Sequence, residues 1–341
     1  MNPIKIEICR KEDTDKVMDF LGEYYRPGHV LSVNKKVFHE QYFNPTSGTY
    51  NIVVAKSCDS EIFGMLGYIE TKKFDSSLES ENSLWLATWQ VNPNTRIPSL
   101  GIMLLNYLRR NNKHKSIAVA GVNPKHDRMY KAMGFKVIKF RHHYIPNLTI
   151  NDFKIAHLPK LERVTSKDHD EYRFELANPT TFLEEAPQLH LSYEPRKSAR
   201  YFLSRYLCNP LYEYQVYFAK RGAKNIGYIA TRLVPLKEGK VIRLVDMQLS
   251  FELIPYYRSA FQRLVIENDC EYIDLLQVGV PAKMLQESGF MEVDKDSEEI
   301  IPNHLDPIVK INNFVTICYK NQNMENFVAF KADGDQDRPN R

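Results

Sequence analysis

The chain has 341 residues, of which 43% are hydrophobic and 26% charged, with a formal net charge of +4. That length exceeds one ordinary core, so two domains are expected, and the dispersed lysines and arginines leave no basic face for nucleic acid. No apolar run approaches the roughly 20 residues that cross a bilayer and no signal peptide is evident, so a cytoplasmic location without membrane insertion is expected.

In chain order, Tyr42-Phe43-Asn44-Pro45 reads as a helix end with an Asn-Pro stop, followed by a strand through Ile52-Val53-Val54-Ala55-Lys56. Gly67-Tyr68-Ile69 begins a further apolar strand, and Leu84 to Val91 is a third, with Trp85 and Trp89 expected on one side of it. A loop of small residues follows, Val91-Asn92-Pro93-Asn94-Thr95-Arg96-Ile97-Pro98-Ser99-Leu100-Gly101. The run from Ile102 to Leu108 then reads as the apolar face of a helix. Strand, loop and helix in this order form an anion site, because the first N–H groups of a helix have no partner within it and its dipole adds positive charge. Ile117 to Val122 reads as another strand, then come Asn123, a helix with Tyr130, and Gly134-Phe135. His126 and Asp127 lie within one turn of Tyr130, so the three can share a face. His142 and His143 follow in a strand, where only one of them can point into a site.

The same order then returns. Tyr206-Leu207-Cys208-Asn209-Pro210, the strand Val216 to Lys220, Gly227-Tyr228-Ile229, Arg243 to Gln248 and Gly289-Phe290 match the earlier signals one by one. Two copies of one α/β unit are expected, over residues 1–148 and 164–341, with a polar linker at 149–163. Five scattered cysteines without a Cys-x-x-Cys pair argue against a disulfide framework or a zinc site, and no metal is expected.

The stretch from Trp89 to Phe135 resembles the cofactor region of the GNAT acyltransferases. That family has Val-x-Pro, then Arg or Gln, then two glycines in a fixed register. Val91, Pro93, Arg96 and Gly101 fall on it, with Ser99 in place of the first glycine. Asn123, Tyr130 and Gly134-Phe135 fall on the family's second motif. The resemblance implies an α/β fold of two tandem GNAT-like domains, each a mixed, mostly antiparallel sheet flanked by helices. It also implies acetyl-coenzyme A, or another acyl-coenzyme A, as co-substrate. Gln90, Val91, Arg96, Ser99, Leu100, Gly101, Ile102, Asn123 and Tyr130 are the implied cofactor contacts, with Tyr130 near the sulfur. Tyr130, His126 and Asp127 are the candidate catalytic groups, the last two on helical spacing alone.

The second copy departs from this pattern. Leu249-Ser250-Phe251-Glu252-Leu253-Ile254-Pro255 has no glycine and is bulky where a diphosphate would lie, so this copy is expected to serve as a scaffold or substrate platform. Phe327 to Phe330 reads as a last strand, followed by a tail rich in aspartate. The tail resembles the ends of double-GNAT proteins of bacterial surface-polysaccharide loci. On that basis Asp333, Asp335, Asp337 and Arg338 join Trp89 and His143 as candidate acceptor contacts. The tail carries almost no apolar surface, so its loss is expected to spare the fold. The expected activity is N-acyl transfer to the amine of a small polar acceptor, a nucleotide-linked amino sugar on the resemblance. The alternative is an inactive GNAT-fold binding or scaffold protein, motivated by Ser99 and the stripped second copy.

Overall fold

The computed structural model describes residues 4–159, 169–305 and 307–338, so positions 160–163 of the expected linker lie outside the described residues. The first half supplies β1 (Lys5–Ile8), β2 (Ile52–Lys56), β3 (Ile62–Glu70), β4 (Ser83–Val91), β5 (Ser116–Ala120), β6 (Lys136–Lys139) and β7 (Arg141–Pro146). The second supplies β8 (Tyr172–Leu176), β9 (Gln215–Arg221), β10 (Lys224–Leu236), β11 (Gly239–Gln248), β12 (Tyr272–Val278), β13 (Met291–Glu292), β14 (Thr316–Asn321) and β15 (Ala329–Phe330). Helices α1 (Lys35–Tyr42), α2 (Leu100–Asn111), α3 (Asp127–Ala132) and α4 (Arg258–Glu267) flank the sheets.

Among the described residues, one sheet has the order β1-β2-β3-β4-β5-β14-β6 and the other β8-β9-β10-β11-β12-β7-β13, with β15 paired to β12. Every neighbouring pair along these paths is antiparallel except β4 with β5 and β11 with β12, which occupy the same place in the two sheets. The repeat in the sequence is thus a repeat of topology. The halves also exchange a strand: β14 lies between β5 and β6, and β7 lies between β12 and β13.

Burial follows from this layering. Leu84 and Leu86 of β4, with Ile117 and Val119 of β5, face α2, whose Leu100, Leu104, Leu105 and Leu108 repeat at helical spacing. Trp85 and Ala118 face the other half, against Leu276, Val278 and Phe327. Both sheet faces are covered, so these strands are apolar on both sides rather than alternating. No helix among the described residues is long and apolar enough to cross a membrane.

Trp85 and Trp89 do not share a face. On β3, Leu66 is opposite Trp89 and Tyr68 is opposite Leu86, so Ala87 and Thr88 together face Gly67. This bulge adds a residue and reverses the alternation beyond it. Trp85 therefore points to the other half and Trp89 to the α2 side. The bulge is held by Tyr42, whose hydroxyl lies 3.0 Å from Thr88 Oγ1. Its ring would come within 2.7 Å of a Cβ at Gly67, which is why that position has no side chain. The second half repeats the device: β11 has its register shift beside Asp246, and Tyr206 donates to that carboxylate at 2.6 Å.

The tail is part of the core. Lys331, Ala332, Asp333, Gly334 and Asp337 are buried, and a Cβ on Gly334 would lie 2.7 Å from that of Ala120. Lys197 bridges Asp246 at 2.8 Å and Asp333 at 2.7 Å, and Arg205 pairs with Asp335 at 2.9 Å. The expectation that its loss would spare the fold is therefore corrected: the tail contributes buried charge rather than apolar surface. In the linker, the Glu271 carboxylate accepts from the backbone N–H groups of Lys154, Ile155 and Ala156.

Candidate active site

The parallel contact of β4 with β5 runs only from Ser83–Ser116 to Leu86–Val119. Beyond it the strands part, and among the described residues no strand bridges the gap. A cavity of about 840 Å³ opens there, walled by β4, the loop after it, the start of α2, the end of β5 and α3. The equivalent opening in the second half is closed by the chain itself. There β15 pairs with β12 through Gln277–Phe330 and Val278–Ala329, Phe327 bridges Glu194, and Tyr193 stacks on Phe251 at 5.1 Å.

The cavity brings together Trp89, Gln90, Val91, Ser99, Leu100, Gly101, Ile102, Asn123, His126 and Tyr130 of the sequence candidates. Ser99 enters α2 at φ 58°, the left-handed region that glycine adopts freely, and its side chain makes no capping bond. The first-turn N–H groups of α2 thus open onto the cavity without a side-chain cap. Gly101 sits over Trp89, where a Cβ would lie 3.1 Å from the indole nitrogen. Asn123 Oδ1 accepts from the Lys125 N–H at 3.1 Å and so starts the turn leading into α3. Tyr130 is buried, edge-on to Trp89 at 6.1 Å and to Phe135 at 5.4 Å. Burial, with Cys318 nearby, raises its hydroxyl pKa above the usual phenol value, so it keeps its proton at neutral pH.

Other candidates lie elsewhere. Arg96 is exposed on the loop, outside the wall formed by Thr95 and Ile97. Asp127 is half-buried beside the wall, with Oδ1 unpartnered. Both histidines of β7 are buried in the second sheet: His142 lies 3.2 Å from Asp274, and His143 4.0 Å from Glu292. Burial pushes His143 down to about 4, against the opposing pull of Glu292. Neither lines the cavity. Asp333 is locked to Lys197, Asp335 to Arg205, and Asp337 accepts from Tyr214 at 2.7 Å. Arg338 is 3.4 Å from Asp335. Among the described residues, the tail residue that reaches the cavity is Gln336, whose amide would lie 3.0 Å from a Cβ at Gly121. Sequence reasoning favoured its charged neighbours, and only the close approach of tail and β5 singles it out.

No family model matches the chain, and comparison with curated proteins gives no match. Solved structures do resemble it. A GCN5-related N-acetyltransferase from Anabaena variabilis superposes with a TM-score of 0.55 at 14% identity, covering 94% of this chain and 73% of that one. One from Kribbella flavida gives 0.52 at 9% identity over 94% and 71%. An Enterococcus faecalis protein of unknown function, described as a probable N-acyltransferase, gives 0.51 at 10% over 94% and 73%. At these identities the likeness establishes the fold: two tandem GNAT-like α/β units.

Proposed function

We propose that this chain is an N-acyltransferase that moves an acetyl group, or a close acyl relative, from acyl-coenzyme A to the amine of a small polar acceptor. A nucleotide-linked amino sugar is the narrower form of this reading. The observation that carries it is the cavity between β4 and β5, whose lining includes a helix start, Asn123 and Tyr130. The fold shared with N-acetyltransferases supports the reading.

The residues present fit the co-substrate. The volume of about 840 Å³ lies within the range of cofactor pockets, roughly 300–1,000 Å³. The twelve-residue α2 offers first-turn N–H groups and its dipole to a diphosphate, and Ser99 and Gly101 keep the approach clear. Ile97, Val122 and Met129 supply apolar walls for a long uncharged arm. When bound, the thioester supplies the activated acyl group. The chain's own groups handle protons and exclude water. Tyr130 keeps its proton inside the cavity, where its hydroxyl can donate a hydrogen bond to a departing thiolate. His126, which also lines the cavity, is assigned the proton lost by the amine.

The test measures thiol release from acetyl-coenzyme A with a panel of amines, alongside coenzyme A binding. Tyr130→Phe is expected to lower turnover on the order of 10-fold to 1000-fold while leaving coenzyme A affinity unchanged. Wild-type protein that binds coenzyme A yet releases no thiol with any amine would instead be a binding protein.

A further inference from the structure

A second cavity, of about 360 Å³, is also lined by the tail, through Lys331, Gln336, Asp337 and Arg338. Its wall includes four basic side chains, Arg232, Arg243, Lys331 and Arg338, together with Asn303 and Asp337. Gln336 lines both cavities and so borders each of them.

The charges in this pocket are not balanced. Arg243 lies 3.1 Å from Asp274, which also takes His142 at 3.2 Å. Arg338 has Asp335 at 3.4 Å, already shared with Arg205 at 2.9 Å. Lys331, only 5% exposed, is held by the carbonyl and side-chain oxygens of Asn303 at 2.9 and 3.0 Å. Arg232 donates to the backbone carbonyl of Asp337. Among the described residues, no carboxylate lies within ion-pair distance of Lys331 or Arg232; the Asp337 carboxylate on the same wall accepts from Tyr214 and leaves its Oδ1 unpartnered, so one negative group faces the four cations. The Nε of buried Arg243 has no hydrogen-bond partner. Leaving buried cations without a counter-charge is strongly unfavourable. Accordingly the Lys331 ammonium sits well below its usual pKa, through burial and then the proximity of Arg243. An entering dianion removes this cost, because guanidinium groups grip phosphoryl oxygens in pairs.

We infer that this pocket binds the phosphoryl group of a phosphate or diphosphate ester carried by the acceptor, and that the acceptor's amine passes Gln336 to reach the first cavity. The volume exceeds what a lone phosphate fills and falls at the lower end of small-molecule pockets, roughly 300–1,000 Å³. Assignment of the ester to the acceptor rests on the acyltransferase reading; the anion site itself does not.

The test is calorimetric titration of the full chain at low salt with inorganic pyrophosphate and with uridine diphosphate, each with and without saturating coenzyme A. One anion is expected to bind while coenzyme A is present. Arg232 is only half-buried, so its replacement spares the core. Arg232→Ala is expected to weaken anion binding about tenfold or more, Arg232→Lys less, with coenzyme A affinity within about twofold of wild type. Lys331→Met is the second variant, with folding checked by thermal melting. Absence of binding by either anion at millimolar concentration overturns the inference, as does binding indifferent to Arg232→Ala. Pyrophosphate binding tighter than uridine diphosphate would overturn the ester assignment and leave a site for a free inorganic anion. If coenzyme A fails to bind while the anion still does, the acyltransferase reading falls and the anion site stands.

Discussion

Ser99 adopts φ 58° where α2 begins, without a side-chain hydrogen bond to compensate. Left-handed backbone costs an ordinary residue roughly 1–2 kcal/mol, and glycine escapes that cost while losing more unfolded-state entropy. Ser99→Gly is therefore expected to stabilise the protein by up to about 1 kcal/mol and to preserve coenzyme A affinity. Denaturant unfolding and ligand titration of this variant check both halves of the prediction. A loss of stability would mean that the serine hydroxyl does something a capping bond does not account for. Gly101 is a poorer probe of the cavity, because any side chain there also presses on Trp89.

At the scale of elements, the tail, β11 and the segment carrying Lys197 are locked by one buried ammonium between two buried carboxylates. Burial raises Asp246 to about 6, with Lys197 pulling it back and Asp333 pushing it further up. Lys197→Met leaves both carboxylates without their cation, and the expected loss is about 3–5 kcal/mol near pH 8. The sign of its pH dependence follows from linkage. A carboxyl whose folded pKa lies above its unfolded value binds more protons when folded, so its stability contribution is present at low pH and lost as pH rises through the folded pKa. Without Lys197 the Asp246 pKa climbs further, so the deficit of the variant should shrink as pH falls from 8 toward 5. Melting curves across that range check it; a deficit independent of pH would assign the loss to packing of the lysine stem.

At the scale of the whole molecule, strand exchange makes each sheet depend on the other half. Residues 1–148 alone would lack β14, leaving β5 and β6 without the strand that joins them. Their own β7 would be left without β12 and β13. A fragment of residues 1–148 is expected not to fold, and the full chain is expected to unfold in one transition by tryptophan fluorescence and by far-ultraviolet circular dichroism. Two separated transitions, or a folded fragment that binds coenzyme A, would show that the exchanged strands add little.

Features set by neighbouring residues could be read along the chain. The strand expected over 84–91 runs Ser83–Val91, the helix after the small-residue loop runs Leu100–Asn111, and the repeated Asn-Pro, Gly-Tyr-Ile and Gly-Phe signals mark two copies of one topology. Periodicity, loop composition and helix starts are local, so they are written along the chain. Of the residues that line the cavity, Ser99, Leu100 and Gly101 belong to the small-residue loop and helix start read along the chain, His126 was singled out by helical spacing, and Asn123 and Tyr130 by the resemblance to the GNAT motif. Tertiary structure alone decided the rest. One extra residue in β4 turned Trp89 away from Trp85, an outcome set by Tyr42 and Gly67 on other elements. The histidines of β7 went to the second sheet because the strand was exchanged. The charged tail became a buried lock, and its neutral Gln336 reached the cavity, because Lys197, Arg205 and β5 lie far away in sequence and close in space. Which partner neutralises a buried charge is a property of the assembled core, and no local pattern of residues encodes it.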